Sequence, residues 1–287
     1  AFSMINDLSS LEEWNHALGV LLQHQGDQDC PHYLVQAINT LVKVEAVMLT
    51  LERSGEAPVL FYDIGIPEDK RELYIDAYFS GAYLLDPLCL SDDESIPPGF
   101  YPLAEVAPDD FYNSDYYRTY YQNTALVDDV FLIAEPQQGV RLSIALGRYG
   151  DQAKFTVDEL RVLRSISSIV QACMGQYWDY VQTQNGHNRW QPIPIRAQVE
   201  AAFRNFGCSV LTQRERQVAL LLLRGHSSKS AAQKLEISPE TVQMHRKRLY
   251  LKLDIGSQSE LFSLFIEALS NASGLEEDPL TAYINKV

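Results

Sequence analysis

Arg246, Lys247, Arg248 and Lys252 crowd one short stretch, SPETVQMHRKRLYLKL (residues 238–253), of a chain whose formal net charge is −15. Between residues 211 and 255 nine Lys and Arg stand against four Asp and Glu, a local +5 that leaves −20 on the remainder. Cations gathered on one element of an acidic protein point to a polyanionic partner for that element and a different partner for the rest. At about 100° per residue, Val242, Leu249 and Leu253 share one helical face, with His245 at its border, and form the expected anchor. Gln243, Met244, Lys247 and Leu251 point the other way. In a DNA major groove Gln can pair with adenine, Lys can reach guanine and Met can meet a thymine methyl. Arg246, Arg248 and Lys252 flank that face within reach of phosphates, as do Lys229 and the helix start at Ser238 and Thr241.

Such a helix needs other elements to present it. Ser238 is a helix-capping residue and Pro239 occupies the favoured first helical position. Upstream, Thr212-x-x-Glu215 is a capping box whose helix turns Val218, Leu221 and Leu222 inward and stops at Gly225. Ser227 caps a second short helix containing Ala231, Ala232 and Leu235, and Glu236-Ile237 turns the chain. Two short helices joined by a tight turn are the minimum helix-turn-helix, the helix after the turn being the reader.

Residues 211–255 resemble the LuxR-type helix-turn-helix domain of bacterial transcription regulators. The skeleton LTxRE, an apolar helix, GxSxK, xxAxxLxIS, TVxxHRxxxYxKL and a following Ile stands in order and spacing. Ser230, Ala231 and Glu236 depart from it, where Glu, Ile and Gly are common, and they touch helix packing or the turn rather than the reading face. The resemblance implies double-stranded DNA as partner, binding as a homodimer to a two-fold symmetric operator, a place for His245 in the DNA-binding pattern, and a fourth helix that helps pair subunits. Gln258 to Leu269 fits that helix.

The acidic portion reads as a mixed domain. Ser10-x-x-Glu13 and Pro31 introduce two helices; Val44–Leu51 and Pro58–Tyr62 are rich in β-formers. A helical pattern over 68–83 ends before Asp86-Pro87, and residues 88–108 read as loop. The aromatic segment from Phe111 to Tyr121 reads as a short helix. Leu126–Ala134 and Val140–Arg148, joined around Gln137-Gln138-Gly139, predict an antiparallel hairpin, and Thr156-x-x-Glu159 opens a long helix to about Val181. Strands bracketed by helices predict an α+β chain: an N-terminal α/β/α sandwich with a mostly antiparallel sheet, then an all-α four-helix helix-turn-helix domain. The expected organisation is a sensor over 1–181, a linker and connecting helix over 182–207, a DNA-binding domain over 208–270 and a tail over 271–287.

What the sensor would hold is narrowed by its aromatic residues. Glu72–Pro87 resembles the aromatic-rich helix ending in Asp-Pro of autoinducer-binding, GAF-like domains of the same superfamily, with Tyr74 where a Trp is common and one residue fewer before Asp86. That resemblance implies a small-molecule effector such as an acyl-homoserine lactone. Tyrosines interleaved with carboxylates also suit an amine-like ligand through cation–π and ionic contacts. Tyr74, Tyr78, Tyr83, Asp86, Tyr116 and Tyr117 are the candidate ligand residues; the alternative is a ligand-independent regulator whose N-terminal domain serves dimerisation or protein docking. Asp128-Asp129 reads as a solvated edge pair. No nucleophile–base pair, phosphate-binding glycine loop or metal-ligand spacing stands out, so no enzyme, cofactor or metal is expected. Cys30, Cys89, Cys173 and Cys208 are too dispersed for a disulfide framework, and the N-terminus lacks a secretory signal pattern, which together predict the cytoplasm. With Ala219 to Leu223 the longest conspicuous apolar run, no membrane span is expected.

Overall fold

The computed structural model describes residues 8–53, 58–71, 75, 78–79, 82–88, 96–124, 126–149, 153–184, 201, 203–270 and 278–281. The chain divides into two compact units, one of Ala1–Lys70, Ile96–Glu105 and Ala125–Gln191, the other of Arg71–Ser95, Val106–Thr124 and Pro192–Val287. Residues 71–95 and 106–124, assigned to the sensor from sequence, thus group with the C-terminal helices.

The first unit begins with α1 (Leu8–Gln23) and α2 (Cys30–Leu41). Strands β1 (Ala46–Arg53), β2 (Val59–Ile64), β3 (Gly99–Pro102), β4 (Leu126–Gln137) and β5 (Val140–Tyr149) form one sheet in the order β2-β1-β5-β4-β3, antiparallel throughout. The β4–β5 hairpin turns where expected, with Gly139 in the left-handed conformation (φ 75°) that a glycine adopts at least cost. Strand alternation sends Val47, Leu49, Val130, Leu132, Leu142 and Ile144 to one face. They share a core with Leu21, Leu34 and Ile38 and with Leu163, Val170 and Cys173 of α3 (Val157–Gln184). The α3 start carries the expected capping box: Glu159 N–H donates to Thr156 Oγ1 at 3.2 Å and Thr156 N–H to Glu159 Oε2 at 2.8 Å. Glu159 also receives Arg148 Nη2 at 2.6 Å, and the same guanidinium donates to the Lys43 carbonyl at 3.0 Å, tying helix, sheet and the end of α2 together.

Four expectations needed correction. Helix α1 begins by Leu8, so Ser10 lies within it and does not cap its start. Gly99–Pro102, read as loop, is an edge strand pairing Phe100 with Leu132; four residues ending in Pro are too short to show a period of two, and Pro is tolerated at an edge. Residues 111–121 are not one helix. A 3₁₀ turn at Phe111–Asn113 stops at Ser114, whose hydroxyl donates to Phe111 O (2.6 Å) and accepts from Tyr117 N–H (3.1 Å), and a wide π turn then spans Tyr117–Tyr121. Asp128 and Asp129 are not a solvated pair: Asp128 accepts the Phe155 N–H at 3.0 Å and Asp129 is buried. Of the helix expected over 68–83, 3₁₀ turns stand at Glu68–Lys70 and Ala82–Leu85, the described positions between them, Arg71, Ile75, Tyr78 and Phe79, are helical, and the other positions between lie outside the described residues.

In the second unit, α4 (Gln213–Leu223), α5 (Ser228–Leu235), α6 (Pro239–Leu253) and α7 (Gln258–Ser270) enclose Val218, Leu222, Ala231, Ala232, Val242, Leu249, Leu261 and Phe265. The first three start at the residues foreseen: Thr212 accepts from Glu215 N–H, Ser227 from Ser230 N–H and Ser238 from Thr241 N–H. Helix α4 ends at Gly225 (φ 87°), with His226 N–H on Leu221 O and Gly225 N–H on Leu222 O, which satisfies two terminal carbonyls. Glu236 and Asp254 hold the same left-handed conformation after α5 and α6 without being glycine. That explains the departure noted at Glu236: the backbone there is what glycine adopts most cheaply, and a side chain costs about 1 kcal/mol. The segment 106–124 joins this unit by direct bonds. Asp110 N–H donates to Gly225 O at 3.0 Å, Ser227 N–H to Asp109 Oδ1 at 3.0 Å, and Ser259 Oγ to Asp115 Oδ1 at 2.9 Å. Near the other end of the chain Asp278 accepts Gly207 N–H and Ser209 N–H, at 2.9 and 2.7 Å.

Candidate nucleic-acid interface

Helix α6 is held from behind and open in front. Val242, Leu249 and Leu253 are buried, as their spacing predicts, while Gln243, Met244, Lys247, Arg248 and Leu251 are exposed. Met244 is 41% and Leu251 72% exposed, too much for side chains that close a core. An open groove of about 480 Å³ runs along this side, lined by Ser228, Gln243, Arg246, Lys247, Tyr250 and Leu251. Ser228 is the first residue of α5, so the helix before the turn contributes its N-terminal end to the groove, and Lys229 beside it is exposed. Helix N-termini and their N–H groups favour anions. Ser238 is exposed at the start of α6 and Thr241 half-buried; the Ser238 hydroxyl is engaged in capping, 3.1 Å from Thr241 N.

The cations of α6 differ in how they are held. Lys247 and Arg248 are exposed. Arg246 is half-buried, its Nε donating to Tyr250 Oη at 3.1 Å with the guanidinium 5.3 Å from the ring centroid. Tyr250, whose role the sequence reading missed, thereby fixes Arg246 along the groove; the i, i+4 spacing of Arg246 and Tyr250 was the available signal. Burial pushes the Tyr250 phenol up, with the Asp115 and Glu260 charges adding to it and Arg246 opposing. Lys252, expected to reach phosphates, donates to Glu215 Oε2 at 2.7 Å while its side chain stays 39% exposed. Burial pushes Glu215 up, but the Lys252 and Thr212 hydrogen bonds and the Lys252 charge outweigh it and hold the carboxyl below the usual value. His245 is half-buried, and its buried Nδ1 has no hydrogen-bond partner among the described residues.

The candidate ligand residues come together in part. Tyr78 and Tyr83 are buried with ring centroids 6.3 Å apart, and Tyr78 lies 5.5 Å from Tyr120. Tyr116 stacks on Tyr120 at 5.7 Å and Tyr117 on Tyr121 at 5.6 Å. Asp86 is buried, accepting Tyr78 Oη–H and Leu88 N–H, each at 2.9 Å. Burial raises its pKa, and those two hydrogen bonds only partly offset the rise. Tyr74 lies outside the described residues. Among the described residues no group of His, Cys, Asp and Glu could hold a metal ion, and no helix is long and apolar enough to cross a membrane.

Comparison with known proteins agrees with this geometry. Residues 209–265 match the family described as bacterial regulatory proteins, luxR family. The chain is 35% identical over 189 residues to a protein of Aeromonas salmonicida assigned as an HTH-type transcriptional regulator in the exeN 3′ region, covering 65% of this chain and 96% of that protein. The VqsR LBD domain from Pseudomonas aeruginosa superposes with a TM-score of 0.51 at 22% identity, covering 58% of this chain and 97% of that one, which shows a shared fold.

Proposed function

The chain belongs to the LuxR family of bacterial regulatory proteins, and from that premise we propose that it is a ligand-responsive transcription regulator that reads double-stranded DNA with α6. The observation that carries the DNA reading is the exposed row Gln243, Met244 and Lys247 on a helix anchored by Val242, Leu249 and Leu253. In this reading Gln243, Met244 and Lys247 meet base edges. Arg246, Arg248, Lys229 and the α6 start at Ser238 and Thr241 meet phosphates, and His245 sets the helix against its own domain. The protein works as a cytoplasmic homodimer on a two-fold symmetric operator, and Phe262 and Ile266 on the outer side of α7 are the side chains available for pairing; Ile266 is 39% exposed.

The effector is a small molecule of acyl-homoserine lactone or amine-like chemistry, taken up near Tyr74, Tyr78, Tyr83, Asp86, Tyr116 and Tyr117. Support comes from the concentration of tyrosines around a buried carboxyl, and from the fold shared with a domain that its describers call an LBD. To regulate, the effector must favour one arrangement of the protein over another; equal affinity for both would change nothing. A second reading, regulation without a ligand, has its own support: the rings stack on one another and Asp86 already accepts two internal hydrogen bonds. The test is a thermal-shift screen of the full chain against acyl-homoserine lactones, amines and polyamines, repeated with Asp86→Asn. A saturable shift lost in Asp86→Asn is expected. Silence across the panel, with DNA binding intact, would leave the ligand-independent reading in place.

A further inference from the structure

A carboxylate from the segment 106–124 sits against the start of α5, a contact without any local signal in the sequence. Asp109 Oδ1 accepts the Ser227 N–H at 3.0 Å and its Oδ2 accepts the Ser227 hydroxyl. Ser227 is the residue that caps α5, and the next residue, Ser228, lines the groove with Gln243, Arg246 and Lys247. The segment bearing Asp109 is fastened beside it. Asp110 N–H bonds Gly225 O at 3.0 Å, and the Phe111 backbone comes so near that a Cβ on Gly225 would lie 2.8 Å from Phe111 Cα. Asp115, further along, accepts Ser259 Oγ at the start of α7, at 2.9 Å.

The amino end of a helix bordering a DNA-reading groove is where a backbone phosphate docks, through N–H groups and the helix dipole. One N–H cannot serve a carboxylate and a phosphate together. We infer that Asp109 is an internal stand-in for a DNA phosphate, and that the segment 106–124 restrains DNA binding until Asp109 leaves the start of α5. The inference rests on the DNA-binding reading and adds a regulatory contact to it. It also supplies a route from the aromatic cluster. Tyr116, Tyr117, Tyr120 and Tyr121 follow Asp109 on the same segment, and Tyr120 stands 5.5 Å from Tyr78, so a rearrangement of those rings pulls on the strap that carries Asp109.

The experiment is fluorescence anisotropy of the full chain on a labelled duplex of mixed sequence, read over a range of low to moderate salt. A mixed sequence suffices because the contested contact is to phosphate. Asp109→Ala should bind about five- to tenfold more tightly than the wild type, the scale of one charge-assisted hydrogen bond near the surface. Its salt dependence should change by less than about one counterion, because the donor that a phosphate takes up is a neutral amide and not a Lys or Arg. Asp109→Asn, which keeps the acceptor and drops the charge, should fall between. Asp110→Ala removes the same charge one residue away, where the carboxylate accepts Asn113 Nδ2 at 2.9 Å, and should stay near the wild type. Equal affinities for Asp109→Ala and Asp110→Ala, or weaker binding by Asp109→Ala and Asp109→Asn while both stay folded by circular dichroism, would overturn the inference alone. Failure of every variant and of the wild type to bind duplex would remove the DNA reading beneath it.

Discussion

Replacing Lys252 by Met separates an internal strut from a phosphate contact. Lys252 Nζ lies 2.7 Å from Glu215 Oε2; the carboxylate side chain is 3% exposed and the lysine side chain 39%. Removing the ammonium leaves a buried carboxylate that still closes the α4 capping box through the Thr212 N–H at 2.8 Å. Breaking a fully buried pair costs about 3–5 kcal/mol, and an exposed pair is worth about 0–1 kcal/mol. With one partner buried and the other partly in water, the expected loss is about 2 kcal/mol, which in a helical unit of this size lowers Tm by roughly 10 °C. Met keeps most of the aliphatic stem, so packing changes little. Because the ammonium already serves Glu215, duplex affinity of the folded variant should change less than about twofold, with the salt slope unaltered.

A double-mutant cycle sharpens the test. Glu215→Gln drops the charge and keeps an acceptor for Thr212, so in that background Lys252→Met should cost under about 0.5 kcal/mol. Urea unfolding followed by circular dichroism measures the stabilities, and anisotropy the DNA affinities. The pH dependence has a definite sign. Glu215 is depressed in the folded state, so its contribution is present above its unfolded value of 4.5 and is lost as pH falls through the lower folded value. Wild type and Glu215→Gln should therefore differ at neutral pH and converge in acid below 4.5. A Lys252→Met protein that unfolds like the wild type but loses about one unit of salt slope would refute the strut and restore Lys252 to the phosphate contacts.

Two further outcomes are expected. Lys247→Ala should lose about 1–3 kcal/mol at a duplex selected by the protein and relax its preference at one base pair; unchanged affinity and preference would remove Lys247 from the reading face. In the first unit, Glu159→Gln keeps an acceptor but removes the negative charge paired with the buried Arg148 guanidinium and should cost about 3 kcal/mol, read by the fluorescence of Trp14 and Trp178, whereas a loss below about 0.5 kcal/mol would mean that the carbonyls of Lys43, Ala153 and Lys154 suffice for Arg148.

The parts of the molecule visible in the sequence are those built from short-range signals. Capping pairs span three residues, so Thr156/Glu159, Thr212/Glu215, Ser227/Ser230 and Ser238/Thr241 fixed where four helices begin. Helical period then divided α6 into Val242, Leu249 and Leu253 behind and Gln243, Met244 and Lys247 in front. Period assigns a face and does not name what the face meets. Lys252 and Lys247 look alike in the sequence, and only the fold shows that one of them meets Glu215, 37 positions away. The tyrosines pose the same difficulty, since aromatic density was plain while the i, i+4 stacking of Tyr116 on Tyr120 and Tyr117 on Tyr121 was not.

The tie between Asp109 and Ser227 was hidden more deeply, because each end has an ordinary local explanation. Asp109 follows Pro108 and reads as a turn residue; Ser227 reads as a helix cap and is one, accepting the Ser230 N–H at 3.2 Å. A cap hydroxyl accepts from its own helix and still has a proton to donate, and its backbone N–H is also left over. Those two donors are what Asp109 takes, from 118 positions away. No periodicity relates residues so far apart, so only the fold reveals them as partners. The same leftover donors make the start of α5 useful to a phosphate. A helix that must bind DNA cannot satisfy its first N–H groups internally without losing that capacity, and an acidic chain with net charge −15 has many carboxylates able to fill the opening. The inferred restraint thus rests on one competition: the donors that Asp109 occupies at the start of α5 are of the kind a phosphate would use.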